Sequence, residues 1–227
     1  MGVFANIWRN LDWSVLTDAL QRIIPALLCI TLHELCHGLA AYRLGDDTAK
    51  RAGRLTLNPL RHIDVVGLLC MLLFRFGWAK PVPVDMRRLR HPKRDMALVA
   101  LAGPVSNLLL AVPMLFLYGL TYPFLYDGRI GAIVSNMLLS TAYLSLALAV
   151  FNIIPIPPLD GSKVLFSLLP ARTYGTVLRY ERYGVLLLLL LTATRVLTGP
   201  LSRVTGWMLD RFWIFAQWGF SLALKIL

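Results

Sequence analysis

Acidic residues are scarce in this sequence. Asp and Glu number 12 against 23 Lys and Arg, and charged residues make up only 15% of the 227, where an ordinary soluble domain carries about 25%. No polar stretch is long enough to build a second, water-soluble core, which excludes an appended soluble recognition module. Cysteine is nearly absent as well. Cys29, Cys36 and Cys70 all fall in apolar stretches and cannot pair completely, so no disulfide framework is expected. The N-terminus is not expected to act as a signal peptide. Residues 1–13 carry Arg9 and Asp12 without a following short apolar core and small-residue cleavage site, and the opening Met-Gly-Val-Phe-Ala-Asn lacks the Ser or Thr that myristoylation needs. This stretch is expected to lie at the headgroup level, with Trp8 and Trp13 at the interface and Arg9 in water.

What the sequence has in abundance is hydrocarbon. The AVILMFWYC set accounts for 57% of residues and mean hydropathy is +0.65, which together point to a membrane protein. The formal charge of +11 could signal nucleic acid, but the basic residues sit between apolar runs and read as topology and lipid-headgroup signals, with the bilayer and not nucleic acid as partner. A spanning helix needs about 20 apolar residues. Stretches 23–42, 96–122 and 131–154 qualify, 183–197 extended toward Val204 is expected to span despite Arg195, and 206–227 spans or lies along the interface. The short apolar piece 65–79, interrupted by Arg75, is the awkward one. From Arg43 to Arg94 there are 12 Lys and Arg, all but Arg75 on its two flanks, whereas the 123–130 connection holds only Arg129. A full crossing would place these basic flanks on opposite faces, against the positive-inside tendency. The charge pattern therefore predicts a re-entrant loop, with both flanks in the cytoplasm and the loop lying against the functional centre.

Within 23–42 stands His33-Glu34-Leu35-Cys36-His37, the pattern H-E-x-x-H. On a helix, residues four apart share a face, so two imidazoles can converge on one Zn²⁺ while Glu34, one step round, reaches a water at the metal. The alternative is two core histidines and a structural glutamate. Each ionisable group in hydrocarbon costs roughly 2.5–3.5 kcal/mol even on lenient insertion scales, and three in five residues call for a compensating partner. A catalytic zinc usually takes a third protein ligand. The extended pattern with Gly and His further along the helix fails, because Ala40 and Arg43 occupy those places. Asp64, His62, His91, Glu181 and Asp160 remain as candidates. Asp160 is favoured: Pro155, Pro157 and Pro158 forbid continuing the preceding helix, and the re-entrant topology places Asp160 at the same cytoplasmic end as His37.

These residues resemble the site-2 proteases, zinc metalloproteases that cut within the membrane. The resemblance runs from about Pro25 to Pro170. It rests on His-Glu-Leu-Cys-His-Gly at 33–38, Leu-Asn-Pro-Leu-Arg-His-Ile-Asp at 57–64, Gly-Trp-Ala-Lys-Pro-Val-Pro-Val at 77–84, Ala-Gly-Pro-Val-Ser-Asn at 102–107, and Asn152 through Pro158-Leu-Asp-Gly161. The chain is similar to the compact bacterial branch without PDZ or CBS domains. The resemblance implies His33, His37 and Asp160 as ligands of a single zinc and Glu34 as general base. One departure is local: Asp64 is followed by Val65-Val66-Gly67 where the family usually has Asp-Pro-x-Gly.

Asn107 and Asn152 are placed at intramembrane depth beside the first helix. Either is interhelical glue, or one of them, with Asn152 preferred, holds substrate backbone or the oxyanion. Residues 54–57, with alternating Leu, and 80–85, with alternate Pro, look like extended edges able to pair with a substrate strand. The expected architecture is therefore an all-α polytopic membrane protein of about five to six transmembrane segments, with a re-entrant loop and short extended strands near the active site. It is read as a single domain over 1–227, its catalytic core about 23–170 and its C-terminal helices about 183–227. The expected partners are transmembrane segments of substrate proteins and the lipid bilayer, with the site near the cytoplasmic face of the cell membrane. The competing expectation is an inactive relative that binds membrane helices as scaffold or chaperone.

Overall fold

The computed structural model describes residues 13–64, 67, 80–125, 127–170, 184, 186–188 and 190–227. Helix α1 spans Trp13–Arg43 and a short α2 spans Thr48–Arg51. Two 3-10 turns follow, at Pro59–Arg61 and Met86–Arg88. Then come α3, Pro92–Leu125, α4, Arg129–Ile153, the short α5, Asp160–Ser167, and α6, Thr198–Ile226.

Helix α3 is the hub, packing on α1, α4, α5 and α6. It runs through Pro104, Pro113 and Pro123 without ending. Such interruptions are tolerated where neighbouring helices and local adjustments cover the freed carbonyls. Small residues let the helices close up. A Cβ on Gly119 would overlap the carbonyl oxygen of Ala216, and one on Gly219 would overlap that of Phe116, so the α3 and α6 backbones touch. This is the small-residue packing expected where lipid offers no hydrophobic drive between helices. Around it Leu115, Ala142 and Ala216 form a buried cluster joining α3, α4 and α6.

The segments 44–64 and 80–91 are tied together by one carboxylate. Asp46, fully buried, accepts from the Thr48 backbone N–H and hydroxyl, and from the Asp85 N–H at 2.7 Å. At the start of α3, Asp95 accepts from the His91 N–H at 2.8 Å, a capping arrangement that also sets negative charge in the first turn.

Three helices are long and apolar enough to cross a bilayer: Leu20–Arg43, Pro92–Leu125 and Arg129–Ile153. Counting the bent pair Leu186–Ala193 and Thr198–Ile226 as one more gives four among the described residues, fewer than the five to six expected. The C-terminal break is displaced from its expected place near 205. The chain bends by 84° between Ala193 and Thr198, with Arg195 at φ 58°, and α6 then continues through Gly206. Pro200 sits within the first turn of α6, where its missing N–H costs nothing. The re-entrant expectation for 65–79 falls outside the described residues, Gly67 excepted.

The expected strands are also corrected: among the described residues neither 54–57 nor 80–85 forms one. Their backbone groups are spent elsewhere. Lys80 donates its N–H to His62 O at 2.9 Å, the carbonyls of Lys80 and Pro81 accept from the Arg54 guanidinium, and Asp85 is held by Asp46. Pro81 and Pro83 have no N–H to offer.

Candidate metal centre

The site is assembled at one end of the bundle, where α1 ends, α3 begins, and the chain turns from α4 into α5. Helices α1 and α3 are antiparallel, with His37 opposite Val99 and His33 opposite Asn107. Helix α4 returns alongside, so Cys29 meets the Thr141 carbonyl and Ser145 donates to the Asn107 carbonyl at 2.7 Å. The loop after α4 carries Pro155, Pro157 and Pro158, and the chain re-enters helix at Asp160. There a Cβ on Gly161 would overlap the Ile153 carbonyl. Only glycine lets α5 start that close to the end of α4, and this closeness sets Asp160 facing α1.

Three donor atoms meet. His33 Nε2 and His37 Nε2 are 3.0 Å apart, and Asp160 Oδ2 lies 3.1 Å from the first and 3.2 Å from the second. All three residues are buried. Tetrahedral zinc with ligands at about 2.0–2.1 Å needs ligand atoms ~3.3 Å apart, so the donor set fits that ion in both spacing and chemistry. Burial alone would raise the Asp160 carboxyl, but the hydrogen bonds and charges of His33 and His37 outweigh it and hold the group well below the usual carboxylate range. Lys163 Nζ stands 4.0 Å from the other oxygen, Oδ1.

Glu34 is half-buried, and its Oε2 accepts from the Val82 backbone N–H at 2.8 Å. Val82 is buried between exposed Pro81 and Pro83. Its amide is the one donor in the triplet, and it is turned on Glu34. Gly38, one turn beyond Glu34 on α1, leaves room for Val82 and Leu55 to pack against the helix. The sequence reading missed this clamp. Its signal was the Pro-x-Pro spacing, which marks a segment whose middle amide must find a partner outside any ladder.

The remaining candidates lie elsewhere. His62 is buried with Nε2 on the Thr56 carbonyl at 2.9 Å, Asp64 accepts from the Gly67 N–H, and His91 precedes α3. None of them joins the donor cluster, and Glu181 lies outside the described residues. Asn107 is fully buried with its amide at His33 Nδ1, 3.2 Å away. Asn152 is half-buried near the end of α4 and donates to the Leu148 carbonyl of its own helix.

Two helical histidines and an aspartate brought together at one end of an apolar helical bundle form a donor set that could hold a metal ion. The sequence pattern of Peptidase family M50 matches residues 126–193. The chain is 38% identical over 191 residues to the "Putative zinc metalloprotease YwhC" of Bacillus subtilis, covering 82% of this chain and 83% of that one. It is 30% identical over 188 residues to the "Putative zinc metalloprotease Rip2" of Mycolicibacterium smegmatis, covering 81% and 71%. A third relative, the "Putative zinc metalloprotease MJ0611" of Methanocaldococcus jannaschii, is 29% identical over 133 residues. No solved structure matches the chain significantly. The chain belongs to peptidase family M50, the site-2 protease family, and is a zinc metalloprotease. The scaffold alternative is not favoured.

Proposed function

We propose that this protein is an intramembrane endopeptidase that hydrolyses peptide bonds in or near the transmembrane segments of other membrane proteins, in regulated proteolysis or in clearing remnant signal peptides. The observation that carries this reading is the convergence of His33, His37 and Asp160 within 3.0–3.2 Å on elements of which α1 is apolar enough to cross a bilayer. In this reading the three residues hold one zinc ion. Bound there, the ion supplies a Lewis acid for the scissile carbonyl and eases deprotonation of water. Glu34 acts as general base. Its Oε2 is occupied by the Val82 N–H, which leaves Oε1 to take the proton of the attacking water. Glu34 then delivers that proton to the leaving amine as the C–N bond breaks. Asn152 is assigned to the substrate backbone or oxyanion, at the same end of the bundle.

The finer topology belongs to the same reading. The basic flanks of 65–79 support a re-entrant loop on the cytoplasmic side of a multi-pass protein in the cell membrane, with the metal site near that face. The C-terminal segments add further crossings, toward the expected five to six.

The test is co-expression with a single-pass substrate tagged on both sides, comparing wild type with Glu34→Gln, beside zinc analysis of both purified proteins. The expected result is cleavage by wild type alone, with stoichiometric zinc in both. Membrane proteomics of the same pair then identifies native substrates as those accumulating intact in the variant. Cleavage of soluble peptides without any cleavage of membrane-embedded substrates would overturn the intramembrane reading. Loss of zinc in Glu34→Gln would make Glu34 a ligand.

A further inference from the structure

Val99, Gly103 and Asn107 are spaced four residues apart on α3 and so lie along one stripe of that helix. Both site histidines rest on it. At the lower level, His37 Nδ1 is 2.7 Å from the Val99 carbonyl oxygen. A carbonyl only accepts, so Nδ1 carries a proton, and Nε2 on the far side of the ring is the atom left to ligate beside His33 and Asp160 once zinc is bound. In the middle, Gly103 makes the approach possible. A Cβ there would overlap His37 Nε2 and come within 2.6 Å of His33 Cε1. At the upper level, the Asn107 amide faces His33 Nδ1 at 3.2 Å.

Asn107 is fully buried, and its Oδ1 has no hydrogen-bond partner among the described residues. The side chain therefore has a single polar contact, the His33 ring. Whatever Asn107 contributes between α3 and α1 therefore passes through that ring. Such a contact suits a residue whose purpose is to set the state of that ring. A half-turn about the last torsion of an asparagine exchanges the oxygen and nitrogen ends of its amide. With nitrogen toward the ring, His33 Nδ1 must accept and Nε2 must carry the proton, which bars Nε2 from ligation. With oxygen toward the ring, Nδ1–H is the donor and Nε2 is free.

We propose that Asn107 is a positioning residue for the metal centre: in the zinc-loaded protein its Oδ1 accepts from His33 Nδ1–H, as the Val99 carbonyl does for His37. One stripe of α3 thereby selects the ligating tautomer of both histidines. This rests on the reading of His33 and His37 as zinc ligands. Partners of ligating histidines that accept from the distal ring nitrogen usually affect metal affinity 10–100-fold. Val99 acts through its backbone and Gly103 through its lack of a side chain, so Asn107 is the position on the stripe where substitution removes the acceptor alone.

The test uses the full-length protein in mild detergent. Zinc affinity is measured by chelator competition for wild type, Asn107→Leu and Asn107→Asp, and thermal unfolding of the zinc-free proteins is compared in parallel. Leucine keeps the volume without an acceptor, whereas aspartate restores acceptor oxygens. Zinc binding is expected to weaken 10–100-fold in Asn107→Leu and to return to within a few-fold of wild type in Asn107→Asp. Equal affinity in wild type and Asn107→Leu would overturn the proposal, and so would a failure of Asn107→Asp to recover. A wild type that binds no zinc would instead sink the underlying metal-site reading, which separates the two failures. Should the leucine variant not fold, ring-¹⁵N histidine spectra of the zinc-loaded wild type decide, since the chain has only four histidines. His33 is expected to ligate through Nε2 with an exchange-protected Nδ1 proton. Ligation through Nδ1, or a freely exchanging Nδ1 proton, would overturn the proposal.

Discussion

The carboxylate of Glu34 and the backbone N–H of Val82, 48 residues further along the chain, are joined by a hydrogen bond of 2.8 Å. Pro81 and Pro83 on either side offer no N–H, and Val82 is buried against α1 over Gly38. One oxygen of Glu34 is thus fixed before any substrate arrives, and in the proposed mechanism the other takes the proton. Orientation of this kind is worth most where water is excluded.

Val82→Pro should therefore lower cleavage by about 10–100-fold, the scale of losing an outer partner that orients a metal-site group, while bound zinc stays stoichiometric. Val82→Ala keeps the N–H and should retain most of the activity. Substrate cleavage and zinc content measured on the same preparations check this. Equal loss in both variants would assign the effect to packing.

Asp160→Asn keeps the volume of the side chain but removes the charge that favours zinc. Bound zinc and cleavage should both fall, whereas Asp64→Ala, which loses only an acceptor for the Gly67 N–H, should retain stoichiometric metal. Metal analysis in mild detergent is the measurement. Full zinc and full activity in Asp160→Asn would remove the third ligand from the site.

The contact of α3 with α6 depends on two glycines. Gly219→Leu places a side chain against the Phe116 carbonyl and should destabilise the folded protein by about 1–3 kcal/mol, as overpacking does. Gly199→Leu, at a position with open space around it, serves as control. Thermal unfolding in detergent should show a clear drop for the first and little change for the second.

Single cysteines placed beside Arg61 and Arg87, both exposed, with the three native cysteines replaced by alanine, should label with a membrane-impermeant reagent from the cytoplasmic face. Labelling from opposite faces would mean that 65–79 crosses the membrane.

The amino-acid sequence by itself determined the class and most of the chemistry. Apolar length set α3, α4 and the end of α1 to within a few residues, because a helix that must satisfy its backbone in hydrocarbon cannot end early; α1 itself begins ten residues before the expected 23, at Trp13. H-E-x-x-H set two donors on one face of α1 through the pitch of the helix. The proline run after α4 marked where the chain turns toward Asp160. What only the tertiary structure decided are contacts with no local signature. The Val99 carbonyl under His37, the space over Gly103, the Val82 amide on Glu34 and the Arg54 grip on Lys80 and Pro81 all join residues far apart in sequence through backbone atoms. Backbone groups are chemically alike at nearly every position, so no residue type announces them. The edges at 54–57 and 80–85 read as strands because alternation of side chains is visible in a sequence, whereas the partner of each N–H and C=O is not. Packing alone turned those groups inward, onto Glu34 and the loop that holds it.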